Sequence, residues 1–527
     1  MVRKYPNETC DEGRRRFIAG AGAVAAAPLL GLGLSACGGS DSSAPMLSEQ
    51  QQLSLSASEA VAAIASGKVT AEGYVRTLLN RADSLSNLRA IITLNRDGAI
   101  ADARAIDAAR SAGKQLPPLA GLPIVVKDNI NTKDLPTTGA TPALMSFHPT
   151  ADAPLLQILR NAGAIVLGKS NMHELAFGIT TTNFAPFAGV ARNPYDTNRM
   201  VGGSSGGSGV AIAARIAPAG LGTDTGGSVR IPAALNGIAG LRPSVGNGAA
   251  ERRYDGTGVI PLSHTRDTVG PMGRTVADIA LLDSVISGKA LPSAIPLSGL
   301  RFGIPSTFWD VVDNEVLAIM NAAKTKLAAA GVTFVSVDLP TIRDLGEKVG
   351  FPVVFHEAHS EIPAYLSASG ASGITLATIA SGIADPDVRA GFASVTSDAS
   401  AAEYPAAINV YRPQMRTLYD AYFAENKIDA IFFPTTPLPA VPIDLVNGSS
   451  TVSVNGGPPV DEFGTFIRNC DPGSIVGIPG LTLPVGMTAA GLPVGMALDG
   501  PVGSDQRLLG IGLSMEVIFG TAPAPKV

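Results

Sequence analysis

Two clusters of glycine and serine, together with one lysine, are the residues of this sequence whose types and spacing point to chemistry. The clusters span residues 202–207 and 222–228 and contain Ser204 and Ser228. Glycine lets a backbone approach another group closely, and successive N–H groups before a helix can converge on an anion. The oxyanion of an acyl-transfer reaction needs such donors. Ser228, which lies beside them, is therefore a candidate nucleophile.

A nucleophilic serine needs a base, and two kinds of residue could supply one. Lys127 ends the apolar run 122–127, where burial disfavours the ammonium form and lowers the pKa. A Ser-His-Asp triad is the alternative, and its base would be one of five histidines: His148, His173, His264, His356 and His359. The residue types alone leave both open.

Three segments match known sequence motifs letter for letter, but the surrounding sequence does not fit those motifs. Residues 163–170 match a phosphate-binding loop, yet their middle is predicted to be a strand rather than a loop between strand and helix. Residues 203–207 match a nucleophile elbow, but turn residues precede them where a strand is required. Residues 111–114 match S-x-x-K at a helix end without its companion motifs. We therefore predict no nucleotide site.

The elements that must position these residues follow an α/β pattern from residue 53 onward. Capping-box spacing predicts a helix after Ser56, and Thr70 starts a second that runs to about Arg81. A short helix is predicted around Pro232. Further helices are expected over 100–111, 152–163 (capped by Asp152), 314–330 and much of 341–425, and strands over 122–127, 164–167, 301–305, 332–337, 431–434, 481–485 and 494–498.

Composition excludes several classes of protein. The 527 residues carry a net charge of −5 with only 16% charged residues, so the clustered basic groups of a nucleic-acid-binding surface are missing. Three cysteines form neither a disulfide framework nor a metal-ligand spacing. We therefore expect no cofactor, no metal and no nucleic acid partner.

The amino terminus differs from the rest of the chain. Arg14-Arg15 precede an uncharged stretch of small residues and the sequence Leu34-Ser35-Ala36-Cys37. This arrangement predicts a twin-arginine-type lipoprotein signal peptide over residues 1–36 and a flexible tether over 37–52. Export, lipidation at Cys37 and anchoring on the periplasmic or outer face of a bacterial membrane would follow. An ordinary amino-terminal membrane anchor is the alternative.

Several motifs together resemble those of the amidase signature family. They are Lys-Asp-Asn-Ile at 127–130, Gly-Gly-Ser-Ser-Gly-Gly at 202–207, and Gly-Thr-Asp-Thr-Gly-Gly-Ser-Val-Arg-Ile-Pro ending at Pro232. Phe-Pro-Thr-Thr-Pro at 433–437 and Gly-Leu-Pro-Val-Gly at 491–495 extend the resemblance over residues 53–516. It implies one large α/β domain over 53–522, with a mixed twisted sheet covered by helices on both faces.

The resemblance also implies roles for individual residues. Ser228 corresponds to the nucleophile, Ser204 to a serine that follows a cis peptide bond, and Lys127 to the base. The remaining implied residues are the oxyanion donors Thr225, Gly226 and Gly227, and the supporting Ser205, Asp224 and Arg230. Ser205 is expected to tie the glycine loop to the backbone, while Arg230 could form a structural ion pair or contact substrate. His173 and Glu174 are expected to pack a loop rather than bind a metal.

Within the family, residues 171–179 and 260–267 resemble the mandelamide and indoleacetamide hydrolases. A small-molecule aryl-acetamide is therefore the expected substrate, with acid and ammonia as products. Peptide amides, anilides, carbamates and oligoamides stay open because an exported enzyme would meet them. A transamidosome subunit and a catalytically silent binding protein are weaker alternatives. A homodimer is left open.

Overall fold

A computed structural model describes residues 46–527. The centre of this part of the chain is a mixed sheet of eleven strands, and residues 451–452 pair with residues 460–461 in a separate two-stranded sheet. In chain order the strands are β1 (Ile91–Leu94), β2 (Pro123–Lys127), β3 (Ile165–Ser170), β4 (Ala219–Asp224), β5 (Ala239–Arg242), β6 (Thr268–Gly273), β7 (Arg301–Gly303), β8 (Thr333–Val335), β9 (Ala430–Pro434), β10 (Thr451–Val452), β11 (Val460–Asp461), β12 (Gly480–Met487) and β13 (Pro493–Asp499).

The sheet order is β1-β3-β2-β4-β6-β5-β12-β13-β9-β7-β8. β2 lies between β3 and β4 and is parallel to both, whereas β4 and β6 are antiparallel. Every residue of β2 to β6 is buried. Because side chains alternate between the two faces of a strand, both faces are covered. The predicted fold, one α/β domain with a mixed sheet, is confirmed.

Helices surround this sheet. The helix of residues 206–213 contacts β2 and β4, that of residues 230–235 contacts β5, and that of residues 505–519 contacts β12. In chain order they are α1 (Glu49–Ser54), α2 (Ala57–Ala65), α3 (Ala71–Ser84), α4 (Arg96–Ser111), α5 (Pro154–Asn161), α6 (Gly206–Ala213), α7 (Arg230–Leu235), α8 (Val276–Ser287), α9 (Asn314–Ala329), α10 (Ile342–Ala368), α11 (Leu376–Gly382), α12 (Pro386–Thr396), α13 (Tyr404–Ala406), α14 (Arg412–Asn426), α15 (Glu462–Ile467), α16 (Asp471–Val476) and α17 (Asp505–Phe519).

Local capping explains where the first helices begin. At α2 the Glu59 N–H donates to Ser56 Oγ at 3.2 Å and the Ser56 N–H donates to Glu59 Oε2 at 2.8 Å, as the capping-box spacing predicts. Ser48 forms the same box with Gln51 at the start of α1. The prediction of a flexible tether over 37–52 is therefore wrong for its last residues, which belong to α1. The predicted signal peptide and Cys37 lie outside the described residues.

One predicted cap is wrong. Ala153, not Asp152, is the N-cap residue of α5. The Asp152 carboxylate instead accepts the Lys133 N–H at 3.0 Å and pairs with Arg160 at 3.2 Å. It therefore joins the loop after β2 to α5.

Two large apolar clusters hold the sheet and its helices together. The first surrounds β2 to β4 and includes Ile124 and Leu221. The second surrounds the strands at the other end of the sheet and includes Phe302, Phe432 and Leu481. In residues 46–527, no helix combines the length and the apolar character that crossing a membrane requires.

Candidate active site

Lys127 lies at the carboxyl end of β2 and is fully buried. Its Nζ is 2.7 Å from Ser204 Oγ and 2.7 Å from Thr223 Oγ1, and it also lies 3.4 Å from the Thr223 carbonyl oxygen. Parallel pairing of β2 with β4 explains the contact with Thr223, because the last residues of both strands reach the same edge of the sheet. Lys127 is also in direct contact with Ser204, although 77 positions separate the two residues.

The surroundings of Lys127 favour its neutral form. Burial lowers its pKa to about 7, against the smaller opposing effects of the charges on Asp224 and Asp267. Its hydrogen bonds join hydroxyl and carbonyl groups rather than a carboxylate. A neutral amine with a lone pair can accept a proton from Ser204, as a base requires.

Histidine is not the base in the described part of the chain. There the ring nitrogens of His173, His264, His356 and His359 contact carboxylate, carbonyl or threonine groups. None of these ring nitrogens contacts Ser204 or Ser228. His148 makes no hydrogen bond to either serine. The alternative of a Ser-His-Asp triad is therefore not supported.

Ser204 is buried in the loop that leads into α6. The peptide bond between Gly203 and Ser204 is cis, as the resemblance implies. A Cβ on Gly203 would lie 2.8 Å from the Ile179 carbonyl carbon, so only glycine fits at that position. The Ser204 carbonyl accepts the His173 N–H at 3.1 Å. These contacts fix the hydroxyl beside Lys127.

Ser228 occupies the turn between β4 and α7 and is 9% exposed, whereas Ser204 is fully buried. The Ser205 N–H donates to the Ser228 carbonyl at 3.1 Å. Ser205 Oγ accepts the Thr223 N–H and donates to the Thr223 carbonyl, both at 3.2 Å. The expected role of Ser205, tying the glycine loop to backbone, is confirmed. Of the two serines, Ser228 is the more accessible.

The oxyanion loop departs from prediction at one residue. The Gly227 N–H already donates to Asp224 Oδ1 at 2.8 Å, so the prediction that it is a free oxyanion donor is wrong. Within residues 46–527 the N–H groups of Thr225 and Gly226 have no acceptor. These two remain the predicted donors.

Thr225 is held from two sides by neighbours that the sequence analysis missed. Its hydroxyl donates to Asp267 Oδ1 at 2.5 Å, and its carbonyl accepts from Arg266 Nε at 3.2 Å. The other oxygen of Asp267 accepts the N–H groups of Leu262 and Ser263 at 2.7 and 2.9 Å. Asp267 therefore fixes both the oxyanion loop and the segment before β6.

A buried ion cluster shapes the loop that carries Ser228. Asp224 pairs with Arg230 at 3.1 Å and with Arg242 at 3.2 Å, and Arg230 lies 3.6 Å from Asp499. The two arginines hold the pKa of Asp224 well below its usual range despite burial. Arg230 is fully buried, so the structural interpretation of that residue is favoured over substrate contact. No sequence motif marks Arg242 or Asp499.

A cavity of about 530 Å³ opens next to this site. Asn129, Thr223 and Thr225 line its inner end, and most of its wall comes from the segment 247–262. The loops 137–145 and 177–187 do not line it. Thr223 contacts Lys127 and lines the cavity, yet no sequence motif assigned it a role.

His173 and Glu174 connect two loops. His173 Nδ1 accepts the Thr181 N–H at 3.1 Å, so the proton of the neutral ring lies on Nε2, which faces Asp387 at 3.2 Å. That nitrogen then has no lone pair for a metal ion. Glu174 Oε2 accepts the N–H groups of Ala384 and Asp385, both at 2.9 Å. These contacts fit the expected role in loop packing.

Comparison with known proteins agrees with this geometry. A family model described as "Amidase" matches residues 74–509. The chain is 41% identical to the indoleacetamide hydrolase of Rhizobium radiobacter, over 85% of this chain and 93% of that one. It is 39% identical to the mandelamide hydrolase of Pseudomonas putida, over 89% and 92%. The solved peptide amidase of Stenotrophomonas maltophilia matches with a TM-score of 0.75 at 28% identity, over 90% and 98%.

Proposed function

This chain belongs to the amidase signature family, and from that premise we propose that it hydrolyses aryl-substituted acetamides to a carboxylic acid and ammonia. Family membership makes it a hydrolase of amide C–N bonds. The observation that carries the mechanism is the 2.7 Å contact between Ser204 Oγ and the buried, low-pKa Lys127 Nζ. The amine is thus placed to act as a base at neutral pH.

Proton transfer runs through Ser204. Neutral Lys127 takes the proton of Ser204, which takes the proton of Ser228 as the Ser228 oxygen attacks the carbonyl carbon. The oxyanion accepts hydrogen bonds from the N–H groups of Thr225 and Gly226. The C–N bond then breaks, ammonia leaves with a proton returned by Ser204, and Lys127 restores that proton. Water cleaves the acyl-enzyme by the same route.

The substrate class rests on the relatives and on the cavity. Two relatives at about 40% identity are named for indoleacetamide and mandelamide, both amides with an aromatic acyl group. The volume of about 530 Å³ suits a molecule of that size. Val259, Ile260 and Leu262 give the cavity an apolar wall on which an aromatic ring can pack.

A second candidate class is carboxy-terminal peptide amides, with anilides, carbamates and oligoamides as further options. The likeness to a solved peptide amidase favours it. Arg252, His264 and Glu361 also line the cavity and offer polar groups to a peptide backbone. A panel of amides that varies acyl size and amine size separately distinguishes the two classes, because aryl-acetamide specificity predicts that activity falls as the amine grows.

The catalytic assignment is tested with Ser228→Ala. We expect ammonia release from phenylacetamide to fall by more than about 10⁴-fold, with the midpoint of thermal unfolding nearly unchanged. A fluorophosphonate probe should label Ser228 in the parent enzyme and in Ser205→Ala, but not in Ser228→Ala. Full amidase activity in Ser228→Ala, or labelling at Ser205, would contradict the assignment of Ser228 as the nucleophile.

We also propose that the enzyme is exported by the twin-arginine-type signal and anchored through lipidated Cys37. Support comes from the residues before and around Cys37 in the sequence alone. In fractionated cells, Cys37→Ser should either release soluble enzyme or block processing of the leader. Mass spectrometry of the native amino terminus that finds Cys37 unmodified would contradict the proposal.

A further inference from the structure

Within the described residues, the side-chain amide of Asn129 makes a hydrogen bond through its nitrogen but none through its oxygen. It lies two residues after Lys127, is 2% exposed and lines the inner end of the cavity. Its Nδ2 donates to Thr223 Oγ1 at 3.1 Å. Its Oδ1 is buried and accepts no hydrogen bond from the described residues. A buried acceptor without a partner is unfavourable, so a ligand that donates to it is favoured.

The position of Asn129 relates it to one end of the substrate. Lys127 Nζ lies 2.7 Å from Ser204 Oγ and 2.7 Å from Thr223 Oγ1, and Thr223 Oγ1 in turn accepts a hydrogen bond from Asn129. The proposed function requires the departing nitrogen to lie at Ser204, because Ser204 gives it a proton. Asn129 therefore lies on the leaving-group side of the scissile bond.

We propose that Asn129 Oδ1 accepts a hydrogen bond from the N–H of the scissile amide and thereby selects carboxamides over esters; this inference rests on the proposed function. A primary amide keeps both N–H bonds when its nitrogen becomes tetrahedral. One N–H donates to Asn129 while the nitrogen lone pair turns towards the Ser204 hydroxyl. The proton of Ser204 passes to the nitrogen as the C–N bond breaks, and ammonia departs. An ester oxygen has no hydrogen to donate.

Asn131 shows what a fully used amide looks like in the same segment. Its Nδ2 donates to Ser369 Oγ at 3.4 Å, and its Oδ1 accepts from Tyr365 OH at 2.5 Å. It does not line the cavity. Asn131 is therefore a matched control: the same residue type, nearly as buried, with both amide atoms used inside the protein.

The experiment compares phenylacetamide with methyl phenylacetate, which share one acyl group, in Asn129→Leu. We expect kcat/KM for the amide to fall about ten- to a hundredfold, and for the ester less than about threefold. Asn131→Leu should leave the amide-to-ester ratio unchanged. Equal losses on both substrates in Asn129→Leu would overturn the inference, because a purely structural role affects both.

Two further measurements keep the outcome clear if Asn129→Leu is impaired in folding. Asn129→Asp keeps an acceptor oxygen, so its amide-to-ester ratio should stay close to that of the parent even if both rates fall. Fluorophosphonate labelling of Ser228 involves no leaving N–H, and its rate in Asn129→Leu should match the parent; a fall in step with the amide rate would overturn the inference. If the parent enzyme itself hydrolyses neither substrate, the proposed function fails instead.

Discussion

Two buried lysines on neighbouring parallel strands have opposite surroundings. Lys127 ends β2 and contacts only hydroxyl and carbonyl groups, whereas Lys169 on β3 lies 3.5 Å from the Asp128 carboxylate. Lys169 also donates to the Ile130 carbonyl at 2.7 Å. In the strand register Lys127 pairs with Ser170, so Lys169 points to the opposite face of the sheet. Both lysines are fully buried.

The difference shows that burial alone does not make a lysine a base. Burial lowers the pKa of both, to about 7 for Lys127 and about 8 for Lys169. Asp128 opposes the shift at Lys169 directly, and threonine hydroxyls on that face use its remaining donors. Lys127 instead contacts the hydroxyl of Ser204, whose proton it can accept. What distinguishes the two residues is the partner on each face.

Lys127→Met tests whether Lys127 is the base. Loss of a general base predicts a fall in kcat/KM of about 10²- to 10⁴-fold on phenylacetamide. The free energy of unfolding should hold or rise at pH 7, because an unfolded lysine takes up a proton that the buried one gives up. Between about pH 7 and 10.5 the parent gains stability as pH rises, and the variant should lack that slope in urea titrations. Unchanged activity in Lys127→Met would refute the assignment of the base.

Lys169→Met tests whether Lys169 has a structural role. It leaves the Asp128 carboxylate buried without its partner, which predicts a loss of about 3–5 kcal/mol in the free energy of unfolding. Urea unfolding measures that loss, and kcat per folded molecule should stay near the parent value. The double variant Lys169→Met/Asp128→Asn should recover most of the stability. A chemical role for Lys169 would instead show as a loss of kcat that the second substitution does not restore.

Asp267→Asn should give the smallest effect of the three variants, and the effect should appear in the pH dependence of activity. Only neutral Lys127 acts as a base, so activity falls as pH drops below the Lys127 pKa of about 7. The negative charge of Asp267 favours the ammonium form, so its removal lowers that pKa. The acid limb of kcat/KM against pH should therefore move to lower pH, by less than about one unit. Lys169→Met should leave the limb in place, and a shift to higher pH in Asp267→Asn would contradict the argument.

Much of the fold follows from local patterns in the sequence. Alternating apolar strands and capped helices predict the α/β class, and the run 122–127 becomes β2 almost residue for residue. Residues 163–170 contain a strand rather than a phosphate-binding loop, as their β-branched middle indicates. Asp152 fails as a cap because Arg160 and the Lys133 N–H compete for its carboxylate. Such competition arises only once distant segments meet.

The residues of the site also fall into two groups, those that the sequence identifies and those that it does not. Lys127, Ser204 and Ser228 stand in motifs and could be named from the sequence, and the structure joins Lys127 to Ser204 as the resemblance implies. Thr223 and Asp267 could not be singled out, because their roles depend on which side chains the strand register places opposite them. Gly227 could not be excluded as an oxyanion donor until the position of the Asp224 carboxylate was known.

The loop that carries Ser228 also depends on residues that lie far along the chain from it. Arg230 donates to Ser474 Oγ at 2.6 Å and to the Cys470 carbonyl at 3.1 Å, contacts that span more than two hundred positions. During synthesis on a ribosome, the lysine and both serines emerge long before those partners exist. A chain translated only as far as Ser228 therefore lacks the partners that hold Arg230, and with it the loop of Ser228, in place.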